Sequence, residues 1–222
     1  MSTAPLSSKA CPVTAKGLSQ RQLILTSLGG RLLFAVPKKG RLQQPTLDLL
    51  SGSDIQFRRE HRLDIALVKN LDIALIFLPA ADIPTFVGEG RVDLGITGRD
   101  QVAEYECNPT EDGGVEEILD LGFGSCKLQV QVPESSEFSD VKQLVGARIA
   151  TSFMGLSTKF FREQEQEKPS PQPSDSTHPQ QSNILKTKIR NLGGSVETAC
   201  TLGVADGIVD LVGIFTFSPL SR

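Results

Sequence analysis

Arg31-Leu32-Leu33-Phe34-Ala35-Val36-Pro37-Lys38-Lys39-Gly40-Arg41 is an apolar run closed by proline and followed at once by a basic turn. Residues 43–50 then take a helical pattern, so the stretch reads as strand, turn, helix. Working outward, residues 54–57, 63–68 and 72–78 read as strands. Asp82-Ile83-Pro84 opens a short helix with Asp82 as N-cap and proline in the first turn, ended by Gly88 or Gly90. Residues 92–97 return as a strand, and Gly98-Arg99-Asp100 leads a helix that runs through Tyr105. Strands alternating with short helices predict an α/β fold with a mainly parallel sheet.

After a glycine- and acid-rich turn at 111–114 the alternation restarts, with strands at 117–121 and 127–132, a helix at 139–145, a strand at 147–152 and a helix at 153–164. Residues 165–182 carry four prolines and no apolar side chain. Such a segment buries too little surface to offset its ordering entropy and reads as a flexible insertion. Structure resumes at 184–192; Ser195-Val196-Glu197 caps a short helix ended by Gly203, and residues 204–212 form an apolar strand broken by Asp210. The organisation expected is an extension at 1–30, a first lobe at 31–106, a second lobe at 107–212 with an insertion at 165–183, and a tail at 213–222.

At 222 residues the chain is long enough for two such lobes. A net charge of -3 and a pI near 5.5 give no general attraction to nucleic acid or to an anionic membrane, so any anion site must be a local basic cluster. No run reaches the roughly 18 to 20 apolar residues that cross a bilayer. Cys11, Cys107, Cys126 and Cys200 are too scattered for a zinc site or a disulfide scaffold, which predicts reduced thiols and a cytoplasmic protein. Residues before Asp48 include no acid and the first thirty are serine-rich, a weak likeness to an organelle transit peptide; the plainer reading is a disordered extension.

Three strand-to-helix turns could carry chemistry. Lys38, Lys39 and Arg41 with Gly40 could converge, with free backbone N–H groups, on a phosphate or pyrophosphate; a solvated basic loop fits equally well. Gly95, Thr97, Gly98 and Asp100 combine close backbone approach with a hydroxyl and a helix start, although an ordinary turn has the same composition. Thr151 and Ser152 repeat that arrangement. Ligands of open α/β sheets sit at the carboxyl ends of strands, so the three turns together weigh more than any one. Asp210 interrupts an apolar run and needs a cation, a hydroxyl-bearing ligand or solvent, or else a salt bridge. The dinucleotide fingerprint and the Walker phosphate loop are absent, and two histidines, His61 and His178, give little material for a triad or a metal site.

Four blocks in order resemble the ATP phosphoribosyltransferase family of histidine biosynthesis: Leu33-Phe34-Ala35-Val36-Pro37-Lys38-Lys39-Gly40-Arg41-Leu42, the stretch 78–90 around Pro79-Ala80-Ala81-Asp82, Asp93-Leu94-Gly95-Ile96-Thr97-Gly98-Arg99-Asp100, and Gly194-Ser195-Val196-Glu197. The resemblance implies a two-lobed, periplasmic-binding-protein-like (type II) α/β catalytic region with its site in the cleft. It also implies the reaction: N1 of ATP attacks C1 of phosphoribosyl pyrophosphate and pyrophosphate leaves, assisted by Mg²⁺. Lys38, Lys39, Gly40 and Arg41 would hold phosphates. Asp82, Gly95, Thr97, Gly98, Asp100, Thr151, Ser152, Ser195 and Glu197 would bind substrate, and Asp210 with Asp206 would face ribose hydroxyls or the metal. The complete family form is a homo-oligomer.

After Val212 the chain reads Gly213-Ile214-Phe215-Thr216, where the family has a Ser/Thr-Gly-x-Thr phosphate turn. The likeness is therefore to a long-form member, C-terminally incomplete, and reduced activity is the expectation. A non-catalytic nucleotide- or solute-binding module of the same shape is the alternative.

Overall fold

The computed structural model describes residues 28–59, 63–109, 113–166, 185–194 and 196–213. Ser195, the extension up to residue 27, the tail from 214 and most of the polar insertion lie outside the described residues.

The first sheet contains β1 (Leu32–Pro37), β2 (Ile65–Leu67), β3 (Ile73–Leu78) and β4 (Leu94–Gly95), in the order β2-β3-β1-β4. β1 runs parallel to both β3 and β4, and β2 is the antiparallel edge. Helices α1 (Gln43–Gly52) and α2 (Ile83–Gly88) connect these strands, and α3 (Arg99–Glu106) follows β4. The second sheet contains β5 (Cys126–Gln131), β6 (Arg148–Thr151), β7 (Lys188–Asn191) and β8 (Gly207–Gly213), in the order β5-β8-β6-β7. β6 is parallel to β7 and β8, and β5 pairs antiparallel to β8 from Cys126↔Gly213 onward. A 3-10 turn at Val141–Leu144 precedes β6, and α4 (Met154–Gln166) follows it. The expected α/β class with mainly parallel pairing is what the chain adopts.

The two-residue period of a strand explains why these runs carry few polar residues. In β1, Val36 packs with Leu50, Leu75 and Phe77, whereas its neighbour Ala35 packs with Ile83 and Val92. In β6, Ile149 joins Leu144, Phe161 and Val209, and Ala150 joins Val196, Ala199 and Ile208. Adjacent residues feed cores on opposite faces, so both sheets are covered on both sides, as parallel sheets are. Fully burying a side chain such as Phe77 or Phe161 contributes about 1.5–3 kcal/mol.

Several expected elements are replaced. Residues 54–57 contribute only the isolated bridge Phe57↔Val68, and Asp54 belongs instead to the turn that follows α1, with a left-handed φ of 54°. Residues 117–121 form no strand: Ile118 and Leu119 are 77% and 72% exposed, and no strand among the described residues pairs with them. The helix expected at 139–145 is a single 3-10 turn stopped by Gly146 at φ 92°. Residues 196–203 are hydrogen-bonded turns, not a helix, ending at Gly203 with φ 67°. α4 extends through Gln166, two residues into the stretch with insertion-like composition. Glu165 holds that last turn by accepting bonds from Lys186 N (3.0 Å), Thr187 N (2.9 Å) and Thr187 Oγ1 (2.8 Å). Burial pushes the Glu165 carboxyl up, but these bonds and the Lys186 charge outweigh it and leave it below the usual glutamate range.

Candidate active site

β1, β3 and β4 are parallel, so the segments that leave their carboxyl ends share one edge of the first sheet. Lys38-Lys39-Gly40 leaves β1 there. Gln43 Nε2 donates to the Lys38 carbonyl at 2.8 Å, and Gly40 makes the reversal at φ 87° with open space where a Cβ would stand. Lys38 Nζ lies 3.6 Å from Asp64 Oδ2, and Lys39 is exposed with no ion pair among the described residues. Thr97 leaves β4 beside them and donates its hydroxyl to the Ala80 carbonyl at 2.7 Å, tying together the segments that follow β3 and β4. Asp82 occupies the N-cap position of α2, yet its backbone is helical and its side chain caps nothing.

At two of the glycines expected to admit a ligand, packing within the fold already leaves no room for a side chain. A Cβ on Gly95 would stand 2.5 Å from Ile83 Cγ2, so the space belongs to α2. A Cβ on buried Gly98 would stand 2.2 Å from Asp100 Oδ1. The absence of that methyl lets the Asp100 carboxylate fold back over the N-cap, where Arg41 Nη2 reaches it at 3.0 Å. Arg41 also donates to the Gly124 carbonyl. Arg41 and Asp100 are therefore engaged with each other at the start of α3.

On the second sheet, β6 and β8 are parallel and Thr151 pairs with Val209, which sets Ser152 and Asp210 at the same edge. Ser152, Gly193, Gly194, Val196, Glu197 and Asp210 line one small cleft of about 140 Å³. Asp210 is partly buried; its Oδ1 accepts the neighbouring Leu211 N–H at 2.7 Å and it has no ion pair among the described residues. Thr151 is fully buried. Its hydroxyl donates to Val209 O (2.8 Å) and accepts from Phe153 N (2.9 Å), so it is engaged by the fold and is not among the residues that line this cleft.

Asp206 is displaced from this edge altogether. It sits at the amino end of β8, where Arg148 donates to it from its backbone N (2.8 Å), Nε (3.1 Å) and Nη2 (2.6 Å). These bonds hold its carboxyl below the usual aspartate range despite partial burial, and the same contact raises the Arg148 guanidinium. Four residues of strand, about 13 Å, separate it from Asp210, so the two acids cannot share a ribose or a metal ion.

The two carboxyl edges are brought together. Cys126, opposite Gly213 at the carboxyl end of β8, has its sulfur 3.8 Å from Asp100 Oδ1, and burial beside that carboxylate pushes its thiol up. Glu104 on α3 accepts from Gly155 N (2.7 Å) and Leu156 N (2.9 Å) at the start of α4. The first edge presents cations and the second presents Asp210 and Glu197. Sequence reasoning missed Glu104, because its partners lie 51 and 52 residues away with no local pattern to mark them. It also missed Gly193, for which the glycine pair just after β7 was the available signal. A larger cavity of about 530 Å³, lined by Leu47, Asp54, Phe57, Arg59, Lys69 and Phe77 among others, lies beside α1 and holds none of the expected site residues.

Among the described residues no group of three or more His, Cys, Asp or Glu side chains could by itself hold a metal ion, and no helix is long and apolar enough to cross a membrane.

The sequence profile of the ATP phosphoribosyltransferase family matches residues 79–214, which take in β4, α3 and the whole second sheet but not the Lys38 turn. ATP phosphoribosyltransferase from Schizosaccharomyces pombe is 55% identical over 189 residues, covering 85% of this chain and 59% of that protein. The enzymes of that name from Yarrowia lipolytica and Saccharomyces cerevisiae are 57% and 49% identical, each over 85% of this chain and 57% of theirs. The chain thus spans a little over half the length of the curated relatives it matches. Among solved structures, a chain of the ATP phosphoribosyl transferase (HisG:HisZ) complex from Thermotoga maritima superposes with a TM-score of 0.55 at 22% identity, covering 82% of this chain and 74% of that one, a likeness of fold. With the profile match spanning more than half of its length, this chain belongs to the ATP phosphoribosyltransferase family.

Proposed function

We propose that the chain acts in ATP phosphoribosyl transfer, with phosphoribosyl pyrophosphate and ATP bound between the two carboxyl edges of a type II periplasmic-binding-protein-like pair of lobes. The observation that carries this is Asp210, a partly buried carboxylate without a cation among the described residues, sharing its cleft with Ser152 and Glu197. In the reaction the adenine N1 lone pair forms a bond to ribose C1, and the C1–O bond breaks with its electron pair leaving on pyrophosphate. Positive charge develops on the ribose and negative charge on the leaving group. Asp210 is suited to the first, or to the ribose hydroxyls, and Lys39 with the Gly40 turn to the second.

Asp210 and Glu197 are the carboxylates that would meet Mg²⁺ entering on the substrate phosphates, since this ion is held by one or two carboxylates plus phosphate oxygens. The ion would offset pyrophosphate charge. Assembly with further subunits and a cytoplasmic location belong to the same reading.

The test is to supply the purified protein with ATP, Mg²⁺ and phosphoribosyl pyrophosphate, measuring binding by calorimetry and phosphoribosyl-ATP by mass spectrometry. Saturable binding with product that is lost in Asp210→Asn supports the reading. Saturable binding without any product favours the non-catalytic module, and absence of both overturns nucleotide and phosphate recognition.

A further inference from the structure

α3 begins at the edge that carries Thr97, Gly98 and Asp100 and holds Glu104 in its last turn. At about 1.5 Å per residue, Gly98 and Glu104 stand about 9 Å apart along its axis. The Glu104 carboxylate accepts the backbone N–H groups of Gly155 and Leu156 at 2.7 and 2.9 Å. These are two of the N–H groups that open α4 and have no partner within that helix, and a carboxylate there is also favoured by the helix dipole. A cap of this kind ordinarily comes from the same segment. Here it comes from the other lobe.

The approach is close because residue 155 is glycine: a Cβ there would stand 2.4 Å from Cys107 Cβ. The turn that Glu104 grips begins immediately after Ser152 and Phe153. Anything that fixes the start of α4 therefore fixes the Ser152 side of the Asp210 cleft. Further inter-lobe contacts join Arg41 to Gly124, Arg99 to Glu117 and Cys126 to Asp100, but Gly124, Glu117 and Cys126 do not line the Ser152–Asp210 cleft.

We propose that Glu104 is a positioning residue, whose grip on the start of α4 sets how the Ser152–Asp210 edge stands against the Thr97–Lys39 edge. α3 is then a strut with candidate binding groups at one end and the fixing point at the other. The kinetic consequence rests on the transferase reading above; the structural consequence does not.

Three variants test it: Glu104→Ala, Glu104→Gln, and Glu106→Gln as a control on an exposed neighbouring acid. Hydrogen exchange at the Gly155 and Leu156 amides is expected to quicken about 10- to 100-fold in Glu104→Ala, the range for losing bonds to a charged acceptor. Recovery should be partial in Glu104→Gln, whose carbonyl still accepts one bond, and the control should match the wild type. With ATP and phosphoribosyl pyrophosphate, Glu104→Ala should lose about 100-fold in kcat while KM moves less than about threefold, because each edge still binds its part of the substrates but holds them misaligned. A cap that only stabilises would lower Tm and leave kcat per folded molecule intact. Unchanged amide exchange, or faster exchange with unchanged kcat, overturns the proposal. If the wild type makes no phosphoribosyl-ATP the transferase reading falls, and the proposal is then judged by small-angle scattering: a changed distance distribution in Glu104→Ala supports it, and superimposable profiles reject it.

Discussion

Arg148 and Asp206 join the amino ends of β6 and β8 in both directions: the Asp206 carboxylate accepts three bonds from Arg148, and the Asp206 N–H donates to the Arg148 carbonyl at 2.7 Å. Hydrogen bonding from the Arg148 side chain, then from its backbone N–H, depresses the Asp206 carboxyl. A depressed carboxylate contributes stability above the unfolded-state pKa, about 3.9, and loses it as pH falls through the lower folded value. Thermal unfolding between pH 7 and pH 2 should therefore show Asp206→Asn less stable than wild type at neutral pH, with the gap closing below about pH 4. A constant gap across that range would mean that Asp206 acts through packing.

Asp210→Asn should behave in the opposite manner. Among the described residues the carboxylate accepts only a neighbouring N–H, so Tm should scarcely move. Phosphoribosyl-ATP formation should drop about 100-fold or more, the range for removing a group that meets developing charge. Measured on the same preparation, a large fall in Tm with unaltered turnover per folded molecule would make Asp210 a structural acid.

Gly95→Ala places a methyl 2.5 Å from Ile83 Cγ2 and 3.1 Å from Val87 Cγ2. Overpacking of this kind costs about 1–3 kcal/mol, read by denaturant titration. Affinity for ATP should be retained in the folded fraction. Weakened binding at unchanged stability would restore Gly95 to the ligand site.

Thr151→Val keeps the shape but leaves the Phe153 N–H without its acceptor in a fully buried place. The expected loss is about 1–3 kcal/mol. Thr151→Ser, which retains the hydroxyl, should recover most of it, and equal losses in the two variants would point to the methyl group instead.

The strands that build both sheet centres were legible because their pattern is decided locally. Residues 32–37 and, apart from Asp210, 207–212 are apolar on consecutive positions, which suits a strand covered on both faces. The Ser152–Asp210 edge followed from the same runs, since strand ends and parallel pairing fix where their side chains emerge. Residues 117–121 look equally strand-like, but an apolar run becomes a strand only where a partner offers its hydrogen bonds, and no local pattern records that. The site residues divide similarly. Asp206 and Asp210 are both acids near the ends of one apolar run, and only the parallel register of β6 and β8 reveals that they emerge on opposite edges. Gly95 and Gly98 carry the same sequence signal whether the nearby group is a ligand, an isoleucine methyl or a carboxylate.

Glu165 bears on what the chain tolerates between residues 166 and 185. Its carboxylate reaches the first two amides before β7, so the two ends of the intervening stretch are fastened beside each other within the folded lobe. For a loop with fixed ends, each doubling in length costs only about 0.6 kcal/mol. A change of length between the two ends would leave the Glu165 bonds themselves in place. That clasp makes the meeting of α4 and β7 independent of how much chain is spelled out between them.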